Sequence, residues 1–584
     1  MQTAVDAGDA AALLAAVPAG RRVALVDPRF VGHVHALRLG LTDPRFAAAA
    51  VPGALTARPE ARGALLRALR RTTAAVGVGA PVVEPDTDPA PEDRTVPGRI
   101  AVALESDGTA VQRPALGSLV AAVPTDPEQR AAAEAELASV DDEAVRLRSA
   151  VKAHDGFFTT FCISPYSRYI ARWCARRNLT PNQVTTASLI TALIAAGAAA
   201  TGTRGGYVAA GILLLVSFVL DCTDGQLARY SLQYSTMGAW LDATFDRAKE
   251  YAYYAGLAIG AVRGGDDVWV LALGAMVLQA CRHVVDFSFN EANHDAVANT
   301  SPTAALSDRL DNVGWTVWAR RMIVLPIGER WAMIAVLTAL TTPRIVFYAL
   351  LVGCALAACY TTAGRLLRSL TRRARRTDRA AQALADLADS GPLAQGVAAV
   401  TPGLRGAFTA PAVALLGTLV MIGGALFLPY GSWLTVAAAA VYVVLSGLAV
   451  ARPLKGALDW LVPPLFRAAE YVTILVLAAR SDVPHAVPAA FGLVSAVAYH
   501  HYDTVYRIRG GTGAPPQWLV RTIGGHEGRT ALVAVLAAVL THASGFTTAL
   551  TALAVAVALV VLVESIRFWV SSSAPAVHDE GELA

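Results

Sequence analysis

Lysine is nearly missing: Lys152, Lys249 and Lys455 are the only three in 584 residues, although lysine and arginine together number 49. Charged residues make up only 16% of the chain, against about 25% in ordinary soluble domains. A net charge of +4 is too small a basic excess to bind a nucleic acid, so no nucleic-acid partner is expected. The six cysteines, Cys162, Cys174, Cys222, Cys281, Cys354 and Cys359, form no CxxC or Cys/His spacing. That excludes a zinc ribbon and a dithiol redox centre. No basic segment precedes the first apolar run in MQTAVDAGDAAALLAAVPAGRR, so no cleaved leader is expected.

What the chain has in excess is apolar sequence, 55% of its residues. Runs of about 20 apolar residues, the length that crosses a bilayer, recur near 184–203, 206–222, 236–262, 267–288, 322–341 and 343–364. A second series follows near 408–428, 432–450, 457–480, 485–505, 530–543 and 547–569. The expected fold is therefore a mainly α, polytopic membrane protein: a six-helix bundle over 184–370 followed by a second six-helix block over 408–570. Residues 1–150 contain no span. They read as a small α/β domain with a Pro/Asp-rich loop at 84–98. Residues 151–183 form an amphipathic juxtamembrane segment carrying Arg168, Arg172, Arg176 and Arg177, 371–407 a basic linker, and 571–584 a polar tail. The arginine-rich connections lie on one side, which the positive-inside rule places in the cytosol, with residues 1–150 beside them. Arginine in place of lysine, with abundant alanine, points to a bacterial genome rich in GC and hence to a bacterial inner membrane.

Between the second and third spans stands DCTDGQLARYSLQYSTMGAWLDATFD, residues 221–246. Its pattern is DxxDGxxARx8Gx3Dx3D, formed by Asp221, Asp224, Gly225, Ala228, Arg229, Gly238, Asp242 and Asp246. Spacings of three and four put Asp221 with Asp224, and Asp242 with Asp246, on single helix faces. The two pairs converge if the helices are neighbours. A carboxylate in an apolar setting costs about 2.5–3.5 kcal/mol on insertion scales, a cost that bound cations offset. Oxygen-only ligands suit a hard ion, Mg²⁺ or Mn²⁺. Arg229 supplies charge for phosphate oxygens and the glycines allow close approach to the backbone, so the chemistry indicated is phosphoryl transfer.

These eight positions resemble the signature of the CDP-alcohol phosphotransferases, six-helix membrane enzymes that displace CMP from a CDP-linked donor by an alcohol. The likeness runs over about 155–370 and includes LTPNQVT at 179–185. It implies that Asp221, Asp224, Asp242 and Asp246 hold two metal ions, that Asp246 is also the general base, and that Gly225, Ala228, Arg229 and Gly238 line the CDP site. The implied partners are the bilayer, a CDP-linked donor and an alcohol or sugar-phosphate acceptor. Arg282, Arg247, Lys249 and Arg320 are candidates for binding a phosphorylated acceptor. A soluble domain ahead of the bundle is similar to the fused cytidylyltransferase and inositol-phosphate transferases. It lacks their glycine-rich loop, so a catalytically inactive, nucleotidyltransferase-like shape at best is expected. The contrasting reading is a non-catalytic scaffold or transporter that retains the motif.

The second block looks like a copy of the first. FDRAKEYAYYAGLAIGAV (245–262) aligns with LFRAAEYVTILVLAARSD (465–482), pairing Arg247, Glu250 and Tyr251 with Arg467, Glu470 and Tyr471. The segment 320–340 aligns with 518–540 in the same order. No aspartate stands where the first block has Asp221 and Asp224. The copy is thus expected to be degenerate and to pack on the first as an internal pseudo-dimer; a homodimer is the alternative.

Overall fold

The computed structural model describes residues 3–4, 7–78, 95–152, 155–294, 324–371, 376–403, 406, 408–540 and 544–571. Most of the Pro/Asp-rich stretch 84–98, Arg320 and the tail beyond 571 lie outside them.

The N-terminal domain has a four-stranded sheet from β1 (Val23–Val26), β3 (Ala48–Val51), β4 (Ala54–Ala57) and β5 (Val111–Gln112), in the order β1-β4-β3-β5. β2 (Val31–Gly32) pairs separately with β6 (Ala121–Ala122). Pairings are antiparallel except β3 with β5. Leu55, Leu65, Leu69, Ile100 and Leu104 close its core beneath the Arg62–Val78 and Val96–Ser106 helices.

The first membrane unit is α1 (Pro181–Ala200), α2 (Arg204–Ser231), α3 (Thr236–Arg263), α4 (Trp269–Asn293), α5 (Ile327–Leu340) and α6 (Pro343–Thr371). The second is α7 (Thr409–Phe427), α8 (Trp433–Val450), α9 (Val462–Arg480), α10 (Ala486–Arg509), α11 (Gly525–Val539) and α12 (Gly545–Ser571). Among the described residues eight helices are long and apolar enough to cross a membrane. α5 and α11 are short, 14 and 15 residues, while α3 and α10 carry charge along one half. The protein is a mainly α, polytopic membrane protein with a small N-terminal α/β region.

Local chemistry sets these boundaries. Thr180 and Gln183 close a capping box with Pro181 in the first turn of α1, and Ser235 accepts from Gly238 N at 2.9 Å to start α3. A Cβ at Gly256 or Gly260 would overlap the carbonyls of Ala196 or Ala199, so small residues let α3 lie directly on α1. Several boundaries differ from expectation: the fourth and sixth helices run on to Asn293 and Thr371, and the eleventh lies over Gly525–Val539. The second span, expected to end near 222, continues as helix to Ser231 and stops at Leu232 with φ +55°. Its extra turns are held because Gln226, Leu227, Ala228 and Tyr230 are buried. Gln226 accepts from Ser167 of the Ser164–Arg176 helix at 2.8 Å.

That juxtamembrane helix turns Tyr166, Tyr169 and Trp173 outward, as a helix lying along a bilayer does. The N-terminal domain docks on the end of α2. Arg38 and Arg146 donate to the Ser231 and Tyr230 carbonyls at 3.2 and 3.3 Å, where cations also complement the helix dipole.

The two units share a packing plan. α1 lies on α2 and α3, α2 on α5, α3 on α4, and α4 on α6; in the second unit α7 lies on α8 and α9, α8 on α11, α9 on α10, and α10 on α12. A buried ion triad recurs with it. Glu250 of α3 takes Arg247 at 2.9 Å and Arg330 of α5 at 3.1 Å; Glu470 of α9 takes Arg467 at 2.9 Å and Arg529 of α11 at 2.6 Å. α4 packs on α9 and α10, and α3 on α10 and α12, so the units meet through corresponding helices. One apolar core runs through both.

Two outcomes follow. Arg529→Leu leaves Glu470 and Asp389 short of a buried partner and should cost about 3–5 kcal/mol, seen as a large drop in thermal midpoint in detergent or nanodiscs. His35 of the N-terminal domain is held down to about 4 by burial and by Arg146 and Arg38. The unfolded chain takes up this proton near pH 6.5 and the folded chain only near 4. Stability should therefore fall as pH drops through that window. Melting at pH 7.5 and pH 5 should differ less in His35→Gln than in the parent.

Candidate active site

The C-terminal part of α2 carries the first half of the acidic motif, and α3, reversing after a four-residue turn, carries the second. Asp221, Asp242 and Asp246 each present a carboxylate oxygen, and these oxygens lie within 4.8 Å of one another. Asp242 is exposed, and Asp221 and Asp246 are half-buried, so the cluster opens at Asp242. Asp224 is 3% exposed, beside Thr185 of α1, and its Oδ2 meets no hydrogen-bond partner. Of the two expected pairs, the structure gathers three members and leaves Asp224 one turn further along, pointing into the same region.

Lys249 lies under the cluster and is fully buried. Its ammonium pairs with Asp221, and with Asp246 at 2.9 Å, and lies 3.3 Å from Ser188 Oγ. Lys249 follows Asp246 by one helical turn, and that spacing is the signal that could have moved it from the acceptor group to this role. One ammonium against four carboxylates leaves the site net negative. The donor set is all oxygen, an Asp224 oxygen is buried without a partner, and the open side is lined by carboxylate; these residues fit a hard divalent cation.

The remaining motif residues surround this core. Arg229 Nε donates to the Ala150 carbonyl at 2.5 Å, which ties the motif arginine to the end of the N-terminal domain. Its guanidinium overhangs Gly225, where a Cβ would find it 3.5 Å away, an ordinary contact. Ala228 is buried on the same helix. A Cβ on Gly238 would meet Asn182 Oδ1 and Ser235 Oγ at 2.8 Å. Asn182 and Thr185 of LTPNQVT therefore belong to the site, a role the sequence likeness covered but did not assign.

The acceptor candidates separate. Arg247 is buried, paired with Glu250 and set 5.3 Å from the centre of the Tyr502 ring. Arg282, on α4, is buried, donates to the Val324 carbonyl and has Asp286 beside it. Arg320 lies outside the described residues.

In the second unit the same place is filled. Aligned as above, Asp242 and Asp246 correspond to Val462 and Phe466, and Lys249 to Ala469; α8 has no carboxylate. Phe466 stacks on His526 at 4.1 Å, and Tyr442 bonds His526 at 2.7 Å.

Gly225→Ala should leave the thermal midpoint unchanged or raise it, since alanine favours a helix by up to about 1 kcal/mol. Gly238→Ala, pressed against Asn182 and Ser235, should lower it.

Residues 178–358 match the family model described as CDP-alcohol phosphatidyltransferase, and residues 378–584 match a family of unknown function. Over 156 residues the chain is 28% identical to a phosphatidylinositol phosphate synthase of Streptomyces avermitilis, covering 27% of this chain and 60% of that one. An archaetidylinositol phosphate synthase of Pyrococcus horikoshii is 30% identical over 113 residues, 19% and 58% of the two chains. A bifunctional IPC transferase and DIPP synthase of Aquifex aeolicus is 31% identical over 132 residues, 22% and 29% of the two chains. The chain thus spans at most 60% of the length of these relatives.

Proposed function

We propose that this chain, whose residues 178–358 are a CDP-alcohol phosphatidyltransferase domain, transfers a phospho-alcohol group from a CDP-linked donor to an alcohol, releasing CMP. The observation that carries the reading is the convergence of Asp221, Asp242 and Asp246 within 4.8 Å next to the orphaned Asp224 oxygen. Asp221, Asp224, Asp242 and Asp246 would hold two Mg²⁺ or Mn²⁺ ions. When bound, such ions neutralise charge on the donor's diphosphate.

The protein's own groups supply the rest. Arg229, Gly225, Ala228 and Gly238 line the CDP portion, with Arg229 held in place through Ala150. Asp246 accepts the proton of the acceptor hydroxyl as its oxygen forms a bond to the phosphorus bearing the donor alcohol. The bond from that phosphorus to the bridging oxygen breaks, and CMP leaves with the electron pair. Lys249, paired with Asp246 at 2.9 Å, orients it. Arg282, whose Nε and Nη1 meet no hydrogen-bond partner, supplies the cation for a phosphorylated acceptor. The inositol-phosphate names of the relatives favour an inositol phosphate as that acceptor, and a lipid donor such as CDP-diacylglycerol. The arginine-rich side of the bundle favours a site that faces the cytosol of a bacterial inner membrane.

The test is CMP release from CDP-diacylglycerol by the full chain in nanodiscs with Mn²⁺, across inositol phosphate, glycerol phosphate and free inositol. Release is expected with a phosphorylated acceptor, and Asp246→Asn should reduce it by roughly 10²–10⁴-fold. No release with any acceptor would favour the scaffold reading.

A further inference from the structure

The outer face of α3 is built into the second unit. Asp242 and Asp246 point into the acidic cluster, while Trp240 and Thr244, two residues from Asp242 on either side, point away from it toward α10 and α12. Trp240 stacks on Trp569 of α12, ring centres 6.3 Å apart and planes 21° from parallel. Trp569 is itself fixed: its Nε1 donates to Asp503 Oδ1 of α10 at 2.7 Å, and Ser565 Oγ donates to the same oxygen at 2.8 Å. Tyr499 donates to Ser565 at 2.9 Å and lies against Trp240 and Thr244. Arg507 holds the other Asp503 oxygen at 2.8 Å and reaches Glu564 of α12. Arg247, next to Asp246, and Tyr251, one turn further on, meet Tyr502, which also bonds His283 of α4.

These contacts have an unusual distribution. Asp503 is 2% exposed, and a buried carboxylate is expensive unless its partners are fixed. Two of its partners, Trp569 and Ser565, lie on α12, whose indole covers the turn of α3 that presents Asp242. A metal site tolerates ligand displacements of only about 0.5 Å, and groups behind the ligands commonly set affinity.

We infer that the second membrane unit serves the first as a positioning element: Trp569, anchored by Asp503 and Ser565 and flanked by Tyr499, holds the Trp240–Thr244 turn so that Asp242 and Asp246 stay in register with Asp221. These are positioning residues, since none touches the acidic cluster. The inference rests on the metal-site reading above and gives the family of unknown function over 378–584 a task in this chain.

The test is Mn²⁺ binding to the full chain in nanodiscs, read as loss of the free-ion electron paramagnetic resonance signal and thus independent of turnover. Trp569→Ala should weaken binding by roughly 10-fold, with the number of ions bound unchanged. Trp569→Phe keeps the stack but loses the Nε1 bond to Asp503, and should weaken binding by less than Trp569→Ala. Val557→Ala, at a buried position of α12 distant in sequence from this contact, should lower the thermal midpoint without changing affinity. Should Trp569→Ala fail to accumulate, Tyr499→Phe gives the same readout with a smaller shift. Binding that is lost in Asp246→Asn but unchanged in Trp569→Ala and Tyr499→Phe overturns this inference alone. An affinity loss in Val557→Ala equal to that of Trp569→Ala also overturns it, as general loosening. Binding insensitive to Asp246→Asn overturns the metal site and this inference together.

Discussion

A glutamate buried between two arginines decides where the third helix of each unit lies. Glu250 cannot be desolvated alone, and its arginines come from α3 itself and from α5, which packs on α2. Satisfying that one carboxylate fixes α3 against the helix pair that carries Asp221. The small-residue seam of Gly256 and Gly260 on α1 sets how closely α3 approaches. Those constraints set α3 beside α2, where the oxygens of Asp221, Asp242 and Asp246 come within 4.8 Å of one another.

The second unit meets the same constraint and uses it differently. Glu470, Arg467 and Arg529 repeat the triad, but Asp389, from the connection between units, joins it at 2.8 and 2.9 Å. The extra carboxylate balances the second arginine and anchors the Asp378–Ala388 helix to the bundle. Where the first unit has open carboxylates, the second has Phe466 on His526. The ion triad is thus present in both units and the acidic cluster in the first.

Much of this was legible in the sequence because bilayer length and helical spacing are strong, local signals. All twelve spans have a helical counterpart, and Arg247 with Glu250, matched to Arg467 with Glu470, announced the repeated triad. The convergence of Asp242 and Asp246 with Asp221 followed from two helix faces and one short turn. The length of α2 did not, because it depends on burial against the Ser164–Arg176 helix and the N-terminal domain, contacts made by residues far away in the chain. Lys249 was legible as a cation but not as a partner of Asp221, 28 residues distant. The Trp240–Trp569 stack joins residues more than 300 positions apart, beyond any periodicity.

The linker over 376–403 adds one more property. Two separate chains in a bilayer pair only when their surface density exceeds a dissociation threshold, whereas two units on one chain meet at a fixed effective concentration. The helices Asp378–Ala388 and Pro392–Val400, packed on the bundle rather than left as a loose tether, make the pairing of α3 and α4 with α9 and α10 independent of expression level. A membrane sparse in this protein would hold the same assembled form as a crowded one.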